Sequence, residues 1–173
     1  MSKTLGNVID PIDLLNKYGA DALRYYFLSQ IPPTDDGDFS EEKLKTVYNA
    51  DLANGLGNLV ARVAKLCENS NQTTNALPAS FDPELEKLMR NCHFNAALEH
   101  LWNEIREADK FVNEQRPWEQ NGEDLIKTLE VLVEKIQHVA FNLQPFLPQA
   151  SEKILDQFSG EIKSSESLFP RKA

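Results

Sequence analysis

A chain of 173 residues, 41% hydrophobic and 26% charged, has room for one domain with a real core but not for a nucleotide-binding catalytic domain plus a full helical domain. Its apolar residues recur periodically instead of gathering into a run of membrane-spanning length, so no membrane partner is expected. The net charge of −9 speaks against holding nucleic acid by bulk electrostatics, so any such contact has to be local and shaped.

The opening Met1-Ser2-Lys3-Thr4-Leu5-Gly6-Asn7 has small hydroxyls beside a lysine and a permissive glycine, which suits a loop closing a point charge over phosphate. It is not a Walker loop, and by itself it reads rather as a solvated terminus. Asp10-Pro11 then starts a short helix, Gly19 breaks it, and a second helix carries Leu23, Tyr26, Phe27 and Leu28. The stretch from Ile31 to Gly37 is rich in breakers and predicts a loop. Asp38, with Glu41 three residues on, predicts an aspartate capping box for a helix reaching about Asn69.

Within that helix Leu52, Leu56, Leu59, Val63 and Leu66 form an apolar stripe, while Asn54, Asn58 and Arg62 fall four residues apart. At 100° per residue the three make a row of hydrogen-bonding groups able to read a base edge, or else a plain polar surface. Gly55 and Gly57 each cost about 1 kcal/mol in a helix interior, so they need a reason such as close packing or room for a ligand. Ser70 to Pro78 is polar and aperiodic, an exposed connection.

Asp82-Pro83 predicts a helix to about Arg90, followed by helices over 94–115, 122–143 and from Pro148 to about Phe158. No segment alternates in the two-residue pattern of strands, so an all-α helical bundle is expected. The stripe Leu129, Leu132, Val133, Ile136, Val139, Ala140 and Leu143 reads as core. Between the two long helices, Pro117 ends one and fixes the backbone into Trp118, which makes that indole either a stacking platform for an unpaired base or one more core side chain. Trp102, inside the helix, reads as core with its indole N–H satisfied. Cys67 and Cys92 have no histidine at ligand spacing, nor do His93, His100 and His138 form a zinc pattern, so no metal is expected and both thiols are read as reduced. With no leader pattern at the start, the expected localisation is cytoplasmic.

The opening heptapeptide resembles the tail of the KMSKS loop of class I aminoacyl-tRNA synthetases, and Asp10-Pro11 through Tyr18-Gly19-Ala20-Asp21-Ala22-Leu23-Arg24 looks like the segment that follows it. Asp36-Gly37-Asp38-Phe39-Ser40, Asn49-Ala50-Asp51-Leu52-Ala53-Asn54, Gly57-Asn58-Leu59 with Arg62, and Leu168-Phe169-Pro170-Arg171 are similar to the methionyl-tRNA synthetase family in particular. The resemblance implies a bundle of the class I anticodon-binding type over residues 40–173, with residues 1–39 a remnant of the KMSKS loop and stem-contact region. It also implies that Lys3 contacts ATP phosphates in the intact enzyme, that Asn58, Arg62 and Trp118 read the CAU anticodon of methionine tRNA, and that Asn54 is a neighbour with a looser match. The signature's first lysine is missing, and Thr4 stands where many members have serine. With no HIGH-type motif in the sequence, the chain alone is expected to bind no cofactor and make no adenylate. Its expected partners are tRNA and an N-terminal catalytic domain of the same enzyme. The corresponding domain of a valine, leucine or isoleucine enzyme, or a helical protein-interaction module, are the rival readings.

Overall fold

The computed structural model describes residues 10–31, 37, 39–74 and 80–173. Lys3, Asp36 and Asp38 lie outside them. Helix α1 (Pro11–Tyr18) begins where the Asp10 carboxylate accepts from the Ile12 amide at 2.8 Å, and it ends at Gly19, whose φ of 84° only glycine adopts freely. Helix α2 (Ala20–Gln30) follows at once.

The next helix starts later than the sequence suggests. Its N-cap is Ser40, whose hydroxyl accepts from the Lys43 amide, and α3 (Glu41–Val47) begins with Glu41 as its first residue rather than as the distal half of a capping box. Serine one residue before the helix is as good a cap as aspartate. The helical run does continue to Asn69, as expected, but not as one regular α-helix. Residues Tyr48–Gly57 form a π-helical segment, with α4 (Asn58–Asn69) after it.

The chain then makes a two-residue strand, β1 (Thr73–Thr74), paired antiparallel with β2 (Gly160–Glu161) in the register Thr73 opposite Glu161. This is the one departure from the all-α expectation among the described residues. Two residues are too few to show an alternating pattern, so such a pairing leaves no trace in the sequence. Helices α5 (Pro83–Arg90), α6 (Phe94–Gln115) and α7 (Gly122–Leu143) have the expected bounds, and α8 (Pro148–Gln157) closes the set.

Helix α6 is central, packing on α2, α4, α5, α7 and the π segment. The predicted α7 stripe is buried in full, and Leu14, Tyr18, Ala22, Tyr25 and Tyr26 of the first two helices join the same core cluster. Two side chains of α2 clamp it to the far end of the chain: the Asp21 carboxylate accepts from the Ala150 amide at 2.7 Å, while Arg24 donates to the Phe146 and Pro145 carbonyls at 2.9 and 2.6 Å. Trp102 is core as expected and stacks on Tyr25 at 4.3 Å, but its indole N–H meets no hydrogen-bond partner.

The C-terminal segment packs along the π segment, where the two glycines differ in the space around them. Tyr48 donates to the Pro170 carbonyl, Asn49 exchanges hydrogen bonds at 2.9 Å with the Lys172 backbone, and Phe169 sets its ring edge-on to Tyr48. A Cβ on Gly57 would stand 3.0 Å from the Leu52 carbonyl and 3.8 Å from Phe169, whereas one on Gly55 would meet nothing closer than 3.6 Å. Alanine gains about 1 kcal/mol of helix propensity at either site. Gly55→Ala is therefore expected to be neutral or stabilising, and Gly57→Ala to destabilise by about 1–3 kcal/mol, because a backbone carbonyl in contact has little room to yield. Urea midpoints of the two variants check the contrast; equal stabilisation would show that the π segment relaxes at no cost.

Cys67 is buried and Cys92 exposed, both unbridged. Burial pushes the Cys67 thiol up from its ordinary 9.0 to about 12. A pKa raised on folding contributes stability that is complete below the unfolded value and is lost as pH rises towards the folded one, so the fold is expected to weaken between roughly pH 9 and 12. A thiol-specific reagent at pH 8 is expected to label Cys92 in the native chain and Cys67 only after denaturation.

Candidate nucleic-acid interface

The end of α6 is built to present a side chain. Pro117 bars the preceding residue from the right-handed helical region, and Arg116 takes the left-handed conformation at φ 48° and ψ 57°. A non-glycine residue there costs on the order of 1 kcal/mol or more, a strain that the surrounding turn holds in place. The Glu119 amide donates to the Arg116 carbonyl at 2.8 Å, and the Gln120 side-chain amide donates back to the Gln115 carbonyl at 2.8 Å. Pro117–Glu119 is thereby wound into a single 3-10 turn.

Trp118 projects from this turn and remains 54% exposed, while Trp102 is 4% exposed. Of the two indoles, only Trp118 has a face free for a ligand. The guanidinium of Arg62, coming from α4, lies 6.0 Å from the centroid of the Trp118 ring, within cation–π range. Arg62 is itself oriented by α6: it donates to Asp109 Oδ1 at 2.7 Å and to Asn113 Oδ1 at 2.9 Å, and Asn113 donates to Asp109 Oδ2 at 3.1 Å. Asn58, one turn before Arg62 on α4, is exposed. Arg62 thus lies near Trp118, and Asn58 stands one helical turn from Arg62.

Asn54 has a different setting. The row inferred from 100° spacing requires a continuous α-helix, and Asn54 sits in the π segment, where bonding runs from i to i+5. Its amide oxygen accepts from Arg171 Nε at 2.8 Å, which ties it to the C-terminal segment. Lys3 lies outside the described residues.

Residues 1–64 match the family described as class I (M) tRNA synthetases. A methionine–tRNA ligase from Clostridium acetobutylicum is 38% identical over 97% of this chain, and one from Bacillus subtilis is 36% identical over 99% of it. Methionyl-tRNA synthetase of Mycobacterium tuberculosis, in a crystal structure bound by methionyl-adenylate, superposes on 98% of this chain with a TM-score of 0.84 and 27% identity. Along nearly its whole length the chain is similar to one part of the methionyl-tRNA synthetases. It spans 29% and 32% of the length of those two ligases and 41% of the mycobacterial chain.

The stretch matched to the family description takes in Asn54, Asn58 and Arg62 but stops well before Trp118; the likeness to whole methionyl-tRNA synthetases covers both. Two residues of the site escaped sequence reasoning, Asp109 and Asn113. Their separation of four on α6 was visible, but nothing in the sequence says that α4 crosses α6 at that turn. Arg171 is a third, quoted within the closing motif without a partner.

Proposed function

We propose that this chain is the anticodon-reading portion of an enzyme that joins methionine to its tRNA with ATP. The observation that supports it most is the exposed indole of Trp118, held on a strained, proline-fixed turn with the oriented Arg62 guanidinium 6.0 Å from its ring centroid. An unpaired base stacked on that face would find Arg62 and Asn58 at its edge, the arrangement by which single-stranded RNA loops are recognised. In this reading Trp118 stacks on the wobble cytosine of a CAU anticodon, Arg62 and Asn58 hydrogen-bond to anticodon bases, and Asn54 is a neighbour held by the C-terminal segment.

Residues 40–173 are then the anticodon-binding bundle and residues 1–39 the stem-contact region, with Lys3 reserved for ATP phosphates when an N-terminal catalytic domain is present. The chain alone is inactive as a ligase. Among the described residues no helix is long and apolar enough to cross a membrane, and a cytoplasmic site of action is part of the proposal.

Titration of the chain with RNA stem-loops at low salt tests this. A CAU loop is expected to bind in preference to loops carrying other anticodons, weakly, because the net charge of −9 opposes phosphate and few cations are available to release counterions. Preference for a valine, leucine or isoleucine anticodon would move the assignment to those enzymes. Absence of any binding, with a protein partner recovered instead, would favour an interaction module.

A further inference from the structure

The N-cap of α5 and one face each of α6 and α7 bring two imidazoles and two carboxylates together. His100 and Glu104 stand one turn apart on α6. His100 Nε2 lies 3.2 Å from Asp82 Oδ1 and 3.9 Å from Glu104 Oε1, and His138 Nε2 on α7 lies 3.7 Å from the same Glu104 oxygen. One ligand atom each from Asp82, His100 and Glu104 fall within 4.8 Å of one another. Tetrahedral coordination at about 2.0–2.1 Å places donor atoms roughly 3.4 Å apart, so these spacings need only small adjustments to surround one ion.

The groups are also poorly satisfied by each other. His100 Nε2 and Glu104 Oε2 are both buried yet make no hydrogen bond, although Nε2 is close to Asp82. His100 Nε2 lies near both Asp82 Oδ1 and Glu104 Oε1 without bonding to either. Asp82 Oδ1 is already fixed by the Leu85 amide at 2.8 Å, and a carboxylate oxygen keeps a second lone pair free for a ligand bond. Asn142 supports both flanks, accepting from the Asp82 amide at 2.9 Å and donating to the His138 carbonyl at 2.9 Å. Such outer partners are what hold metal ligands in register. Glu104 and His138 further open onto a cleft of about 420 Å³ lined by Glu107, Glu134 and one cation, Lys135, so its carboxylates outnumber its ammonium groups where an ion would enter.

We propose that Asp82, His100 and Glu104, with His138 beside the remaining position, form a binding site for a divalent transition-metal ion of the zinc class that cross-braces α5, α6 and α7. The mixed imidazole and carboxylate set suits zinc or cobalt and is a poor match for the all-oxygen preference of calcium or magnesium. It departs from the expectation of no metal ligands drawn from sequence spacing, which could not register donors that come from three separate helices. It stands independently of the anticodon reading.

Calorimetric titration of the chain with Zn²⁺ in a non-chelating buffer is the test. Saturable uptake of one ion per chain is expected, unaffected by excess Mg²⁺, with His100→Ala and Glu104→Gln each weakening it about 100-fold or more. His138→Ala is expected to weaken it by a smaller factor, and His93→Ala, altering an exposed residue outside the cluster, to leave it unchanged. Should the variants fold poorly by circular dichroism, the unaltered chain still decides: Co²⁺ is expected to give the intense visible absorption of a tetrahedral site, and Zn²⁺ to shift the ring ¹⁵N resonances of His100 and His138 but not of His93. No saturable uptake overturns the proposal, as does uptake that persists in both His100→Ala and Glu104→Gln, or ring shifts confined to His93.

Discussion

Trp118→Ala is expected to lower affinity for a CAU stem-loop by about 5- to 150-fold, the loss of one base–aromatic stack worth about 1–3 kcal/mol. The fold should be indifferent to the change, because the indole is more than half exposed and its turn is held by backbone and Gln120 bonds that do not involve the ring. Arg62→Ala is expected to cost a similar factor for two reasons. It removes the donors proposed to reach the base, and it leaves Asp109 as an uncompensated negative charge beside incoming RNA. Arg62→Lys should not restore binding, since an ammonium cannot span Asp109 and Asn113 as the guanidinium fork does.

The double variant sharpens the test. Arg62 lies near Trp118, so their effects should fall short of additivity by about 0.5–3 kcal/mol, whereas independent sites would add. Trp118 emission gives a direct readout, because the other indole is buried and stacked on Tyr25. In a full-length enzyme the same substitutions should depress aminoacylation while sparing methionine-dependent pyrophosphate exchange. Equal loss in both assays would sink the anticodon assignment.

Leu101→Ala is expected to destabilise the chain by about 2–5 kcal/mol, the transfer and cavity cost of truncating a fully buried leucine. The residue lies near the middle of α6, the helix against which α2, α4, α5, α7 and the π segment all pack, so no single neighbour can collapse into the space. A domain of this size has about 5–15 kcal/mol of stability in total, and a loss of that order should move the urea midpoint far enough to leave a measurable unfolded population. Ile12→Ala on α1, where the side chain is 60% exposed, is the matched control and should shift stability by no more than about 0.5 kcal/mol. Comparable effects at the two positions would contradict the placement of α6 at the centre.

The parts of this molecule set by neighbours in the chain were readable without coordinates. Asp82-Pro83 and Pro148 mark helix starts, Gly19 and Pro117 mark ends, and the α7 stripe declares its buried face, since capping, φ restriction and 3.6-residue periodicity are local effects. The family resemblance rests on the same kind of local pattern, in motifs from Asp10-Pro11 to the closing Phe169-Pro170. What the sequence could not disclose depends on which surfaces meet. Ser40 rather than Asp38 begins α3; the C-terminal segment clamps Tyr48, Asn49 and Asn54 along a π-helical stretch; and α4 crosses α6 so that Asp109 and Asn113 aim Arg62 at Trp118. The convergence of Asp82, His100, Glu104 and His138 is of the same kind, for it joins residues up to 56 positions apart (138 − 82) whose spacing carries no periodic signal. A helix face announces that it must be covered, but the partner that covers it is chosen by the packing of all the helices together.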